Sequence, residues 1–201
     1  MPSRALAEFL RAIEASRSLR LAAKDARLRP IKDQVRNDFL HAALASYVAG
    51  WDGYLNNVVT EFVQQTSNPL DIEYSSLHAG LEAFVKRSLK KFNTPNWENS
   101  RNMLVECTGY DPIGDWVWPR ASMNGAATRI FLDEILRARH SFSHGFSLPA
   151  YSWTTTPKGK RQLNDGSLLR IERFVTHLVA NTDKGLAGHA RVNYPSRQVW
   201  Y

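Results

Sequence analysis

Apolar residues recur at three- and four-residue steps along most of this chain, and Pro, Gly and Asn punctuate the runs. That period belongs to amphipathic helices. The first run, roughly Arg4 to Leu28, places Ala5, Phe9, Ala12, Ile13 and Leu21 on one side, and Pro30 closes it. The second is the strongest. From about Ile31 to Gln65, Val35, Phe39, Ala42, Ala43, Tyr47, Val48, Trp51, Leu55, Val58, Val59 and Phe62 form an apolar side broad enough for a central core helix. Gly50 and Gly53 lie inside it, either where another backbone comes close or as tolerated defects. Asn68-Pro69 ends the run.

Ser75-Ser76 then predicts the cap of a shorter helix through Leu77, Leu81, Phe84, Val85 and Leu89. The segment Phe92 to Trp97 reads as a turn, followed by a short helix around Ser100 to Cys107. Gly109 to Pro119 is irregular and aromatic; its tryptophans are expected to plug the core from a loop. A helix from Ser122 or Asn124 carries Ile130, Phe131, Ile135 and Leu136, with Gly145 and Pro149 as stop signals. Tyr151 to Arg161 is a polar, basic loop or short hairpin. A last helix uses Leu168, Ile171, Phe174, Val175, Leu178 and Val179, and beyond Gly188 the period fades into a tail ending in the apolar Val199-Trp200-Tyr201. No strand set, repeat or linker interrupts the pattern. The expectation is one all-α domain over residues 1–201, a helical bundle of four to five main helices.

Composition narrows the class. The chain has 201 residues, 43% hydrophobic and 22% charged, which is ordinary for a globular domain with a real core. No apolar run has the length of a membrane span, and the start is interrupted by charge, so no membrane partner and a cytoplasmic location are expected. The single cysteine, Cys107, excludes an intramolecular disulfide and a cysteine-rich zinc site. Lys and Arg number 26 against 19 Asp and Glu, a net charge of +7. That balance favours a polyanionic partner without specifying one.

The chemistry concentrates in Arg137-Ala138-Arg139-His140-Ser141-Phe142-Ser143-His144-Gly145. Metal-free RNA cleavage needs a group that moves protons near neutral pH and a cation that holds a phosphate in the transition state. On a helix, residues turn by about 100° each, so His140, His144 and Arg137 share one face, whereas Arg139 is offset from His144 by about 140°. Local geometry therefore prefers Arg137, His140 and His144 as one constellation. A solvated basic helix face is the plain alternative. His140 and His144 also have the spacing of a zinc pair, but the residues between them lack the glutamate of HExxH and no third ligand is evident, so no metal or other cofactor is expected.

Arg139 to Gly145 resembles the RNxxxHG form of the R-x4-6-H motif of HEPN domains, and the wider chain resembles the RiboL-PSP-type HEPN branch. Besides the motif, the resemblance rests on Ala49-Gly50-Trp51-Asp52-Gly53-Tyr54-Leu55, on the turn Phe92-Asn93-Thr94-Pro95-Asn96, and on the closing helix from Asp183 to Ala190. It implies a dimeric helical bundle with metal-independent endoribonuclease activity, RNA as substrate, and a composite site between two subunits. His144 would transfer the proton and Arg139 would hold the phosphate. His140 stands where the pattern has Asn, and the spacing from Arg137 also satisfies the motif, so the acting arginine stays open. Lys158, Lys160 and Arg161 would guide the RNA backbone, or simply form an exposed charged loop. By analogy the biological setting is bacterial defence or a toxin–antitoxin-type system, with an antitoxin or other protein partner. The alternative is a non-catalytic HEPN-like module that binds RNA or nucleotide, or dimerises.

Overall fold

The computed structural model describes residues 1–25, 33–67, 74–145, 147–197 and 199–200. Within them the chain is all-α, with six helices and no strand; only two isolated bridges, Trp118 with Met123 and Thr155 with Arg161, have β character. The helices are α1 (Arg4–Ala22), α2 (Asp33–Thr66), α3 (Ser75–Lys91), α4 (Trp97–Thr108), α5 (Gly125–Ser143) and α6 (Asp165–Asn193). The expected count of four to five main helices is therefore exceeded.

α2 is the axis of the bundle. Its 34 residues touch α1, α3, α4, α5 and α6, and Leu44, Tyr47, Trp51, Tyr54, Leu55, Val58 and Phe62 are buried at helical spacing. Burying side chains of this size contributes on the order of 2–3 kcal/mol each, before chain ordering is charged against it. α1 packs Phe9 and Ile13 onto this axis, and α6 packs Ile171, Phe174, Leu178 and Leu186. Four helix starts, those of α1, α4, α5 and α6, are fixed by a small polar residue: Ser3, Asn96, Asn124 and Asn164 accept the backbone N–H of Leu6, Asn99, Ala127 and Ser167.

Two buried carboxylates tie the long helices together. Glu172 of α6 accepts the Tyr47 hydroxyl of α2 at 2.9 Å and Nε of Arg17 of α1 at 2.6 Å. Asp183 of α6 is fully buried; it accepts the backbone N–H and the hydroxyl of Ser3 and the hydroxyl of Tyr54. Partners on two other helices offset the cost of burying each charge.

Several boundaries move. α1 stops at Ala22 rather than near Leu28; Leu28, Pro30, Ile31 and Asn68-Pro69 lie outside the described residues. Ser75-Ser76 do not cap α3, because both sit inside it and Tyr74 occupies the cap without a side-chain bond. Leu77, Leu81 and Phe84 point to solvent, and only Val85 of that helix is buried. The close approach considered at Gly50 and Gly53 is not there. A Cβ on Gly50 would meet the Phe9 ring at an ordinary 3.5 Å, and one on Gly53 would meet nothing within 4 Å. The close approach falls instead at Gly185, where a Cβ would collide with the Tyr110 hydroxyl and the Asp115 carboxylate. The aromatic loop fills the core as expected: Trp116 is buried and donates Nε1 to Thr182 at 2.9 Å. The end of the chain docks on the body, since α6 continues to Asn193, and Trp200 is buried with Nε1 donating to the Asp183 carbonyl at 3.3 Å. Among the described residues no helix is long and apolar enough to cross a membrane.

Candidate active site

α5 delivers the basic cluster. Phe131, Leu132, Ile135, Leu136 and Ala138 are buried, which sets the rotation of the helix and leaves Arg137, Arg139 and His140 exposed. The helix ends as the sequence predicts. His144 caps it with its N–H on the His140 carbonyl at 3.2 Å, and Gly145 follows at φ +70° with its N–H on the Phe142 carbonyl at 3.2 Å. A left-handed backbone is cheap for glycine and costly for residues bearing a Cβ, so Gly145 lets the chain leave the helix immediately after His144.

The exposed face of α5 closes one wall of a cleft of about 610 Å³. α5 contributes Asp133, Leu136, Arg137, Arg139, His140 and Ser141; α2 faces it with Ala45, Val48, Ala49 and Asp52. The turn Asn93-Thr94-Pro95-Asn96 forms the third side, with Ser147 and Pro149 at the exit of α5. This turn is held firmly. Trp51 Nε1 donates to the Pro95 carbonyl at 3.0 Å, Asn99 donates its amide to the Thr94 carbonyl at 3.0 Å, and the Asn96 side chain accepts the Asn99 N–H at 2.7 Å. Three of the four segments that carried the family resemblance thus meet around one cavity, while the fourth, from Asp183, lies in the core.

Both arginines line the cleft together with His140. Local helix geometry favoured Arg137 alone; the structure brings Arg139 in as well. His144 is not among the lining residues, but its ring centroid is 4.1 Å from that of His140, which is. Lys158, Lys160 and Arg161 sit elsewhere, on an exposed turn where Gly159 takes φ +76° and Thr156 donates its N–H to the Lys160 carbonyl at 2.9 Å. None of the three lines the cleft.

Electrostatically the cleft is mixed. The carbonyls at the C-terminal end of α5 present partial negative charge and the start of α4 beside Asn96 partial positive charge, while the arginine side chains supply the full positive charges. Two carboxylates accompany them. Burial pushes the Asp52 carboxyl up, against a hydrogen bond from Asn56 and the charge of Arg139. Burial likewise pushes the Asp133 carboxyl up, against the Trp97 backbone N–H and the charge of Arg137. Asp133 Oδ1 is buried without a hydrogen-bond partner among the described residues. Nor, among these residues, do three of His, Cys, Asp and Glu gather as a metal-binding set.

Three residues near the cluster were not singled out as functional from sequence: Asp52, Asp133 and His41. His41 lies one turn before Ala45 on the cleft face of α2 and stacks on Phe142, ring centroids 4.2 Å apart and nearly parallel at 9°. Its Nδ1 is buried without a partner among the described residues, and burial lowers its pKa. The available signal for Asp52 was its place in Ala49–Leu55, one of the segments that carry the resemblance, where the related branch has an A-x-E-x-Y-type pattern and Asp52 supplies the acidic residue. Comparison of the chain with protein-family models, with curated proteins and with solved structures finds no match.

Proposed function

We propose that this protein is a metal-independent endoribonuclease of the HEPN type. The observation that carries the proposal is the gathering of Arg137, Arg139 and His140 in one cleft, with His144 packed beside His140. An RNA 2′-hydroxyl attacks the adjacent phosphorus in line. One imidazole takes the hydroxyl proton, a second protonates the departing 5′-oxygen, and an arginine holds the charge that grows on the phosphorane. The product ends carry a 2′,3′-cyclic phosphate and a free 5′-hydroxyl. His144 is the leading proton-transfer residue, and two copies of the chain, each offering His144, would assemble a composite site. Defence or a toxin–antitoxin-type role, in the cytoplasm and under control of a protein partner, is the setting this activity fits.

The substrate class follows from the nucleophile, since DNA lacks the attacking hydroxyl. An RNA oligonucleotide that is cut at a defined bond, and is spared when that one nucleotide is made 2′-deoxy, supports the proposal. Equal cutting of both strands overturns it.

One observation favours a second reading. Asp52 and Asp133 offset the two arginines in formal charge, which suits a module that binds RNA or nucleotide without cleaving it. Salt-sensitive binding of RNA that stays intact would select that reading.

A further inference from the structure

The turn on the third side of the cleft is entered directly from α3, whose last residues are Lys90 and Lys91. Two and three residues further on, Asn93 and Thr94 already line the cavity. Lys86 and Arg87 stand one turn before the two lysines, so four cations share the end of one helix. All four are exposed, while Val85 is buried and Leu89 packs against the core. At about 100° per residue, the cations centre about 150° from Val85 and Leu89, on the side turned away from the bundle.

Little nearby charge answers them. Among the described residues Lys86 alone has an acidic ion-pair partner, Glu82 at 3.9 Å, and Arg87 donates Nε to the Ala83 carbonyl at 3.3 Å. The helix dipole favours cations at Lys90 and Lys91. It gives no reason for the rows Lys86–Lys90 and Arg87–Lys91, where like charges four residues apart repel. A polyanion lying along the rows relieves that repulsion. Phe84, 38% exposed, borders the same face three residues before Arg87. Cations beside an exposed ring suit a single strand of nucleic acid, its phosphates on the charges and a base on the ring.

We propose that Lys86, Arg87, Lys90 and Lys91, with Phe84, form a track that leads single-stranded RNA along α3 to the cleft. That the polyanion is RNA rests on the ribonuclease proposal; binding along α3 needs no cleavage. Lys158, Lys160 and Arg161, expected to guide the backbone, line no part of the cleft.

The test measures binding of labelled single-stranded RNA to the full chain carrying His144→Ala, over a range of salt. The track variant joins Arg87→Gln, Lys90→Gln and Lys91→Gln, substitutions that keep helix propensity, with folding checked by circular dichroism. Losing three phosphate contacts should make the slope of log affinity against log salt shallower by about 2, at about 0.7 per contact. Phe84→Ala should weaken binding about fivefold or more, the scale of one lost base stack. Replacing Lys158, Lys160 and Arg161 with Gln should leave the slope as it is. An unchanged slope in the track variant, or unchanged affinity in Phe84→Ala, overturns the proposal. So does an equal change of slope in the Lys158, Lys160 and Arg161 variant, which would mark a general effect of net charge. Wild-type binding to phosphatidylserine vesicles that is lost in the track variant, with RNA affinity intact, would assign the face to a membrane instead. The two proposals fail separately. RNA held through α3 but left intact by the wild type sinks the ribonuclease alone; RNA that is cut, yet bound with an unaltered slope by the track variant, sinks the track alone.

Discussion

The imidazole rings of His140 and His144 lie 4.1 Å apart, centroid to centroid, and are tilted by 45° to each other at the end of α5. On the proposed ribonuclease chemistry the pair is the place to test for proton transfer, since His140 lines the cleft and His144 caps the helix beside it. If His144 moves the proton, His144→Ala should lower kcat by about 100- to 10,000-fold. His140→Ala should cost far less, since His140 stands where the motif has Asn. Single-turnover cleavage rates of the two variants check the order, and equal losses would mean that the rings act as one unit.

The arginines separate in the same way. Arg139→Ala should lose on the order of 100-fold in kcat, the scale for removing one donor to a developing oxyanion. Arg137→Ala should mainly raise KM, because the motif spacing gives the transition-state role to Arg139 and leaves Arg137 as a second phosphate contact in the same cleft. Measuring kcat and KM for both variants decides which arginine acts; the reverse order would return the role to Arg137.

Gly145 sits at φ +70°, a conformation that costs a residue with a Cβ about 1 kcal/mol or more. Gly145→Ala should therefore lower stability by about that amount and disturb His144, its immediate neighbour. Urea denaturation reads the first effect, and a several-fold loss of cleavage in the folded variant reads the second.

Acid should weaken the fold through His41. Burial holds its imidazole below the ordinary value of 6.5, and Asp38 counters this only in part. The unfolded chain takes up that proton near 6.5, the folded chain only at lower pH. The unfolded state thus binds more protons in the interval, so this contribution is fully present above the ordinary value and is lost as pH falls toward the folded one. His41→Phe keeps an aromatic ring for Phe142 and removes the titration. Melting temperature should drop less in this variant than in the wild type between roughly pH 7 and pH 5.

The buried Trp200 makes the chain's end part of the core. Trp200→Ala should cost about 3 kcal/mol by urea denaturation, the usual scale for truncating a large buried aromatic, while cleavage per folded molecule stays unchanged.

Helix positions were legible because their cause is local. The apolar period placed α2 and α5 to within a few residues and found the middle of α6 but not its run to Asn193, and Asn124 and Gly145 marked the ends of α5. The period did not say which apolar stripes find a partner. Leu77, Leu81 and Phe84 have the spacing of a core helix and remain exposed, because no other described helix crosses that side of α3. The basic cluster was legible as one end of α5, but the residues facing it across the cleft were not. Arg139 and Asp52 are 87 positions apart, and their lining of one cleft depends on how α5 packs across α2. An ideal-helix projection fixes the direction of Cβ and not the reach of a long arginine side chain, so it left open that Arg139 lines the cleft. The same holds for His41 against Phe142, a stack that only the packed bundle creates.

The central claim is metal-free RNA cleavage at the end of α5, and its most direct test is labelled RNA incubated with purified protein in EDTA. The wild type is expected to cut to 2′,3′-cyclic phosphate ends while His144→Ala, folded and still binding RNA, does not. Undiminished cutting by His144→Ala would contradict the site, and intact RNA with the wild type would contradict the activity.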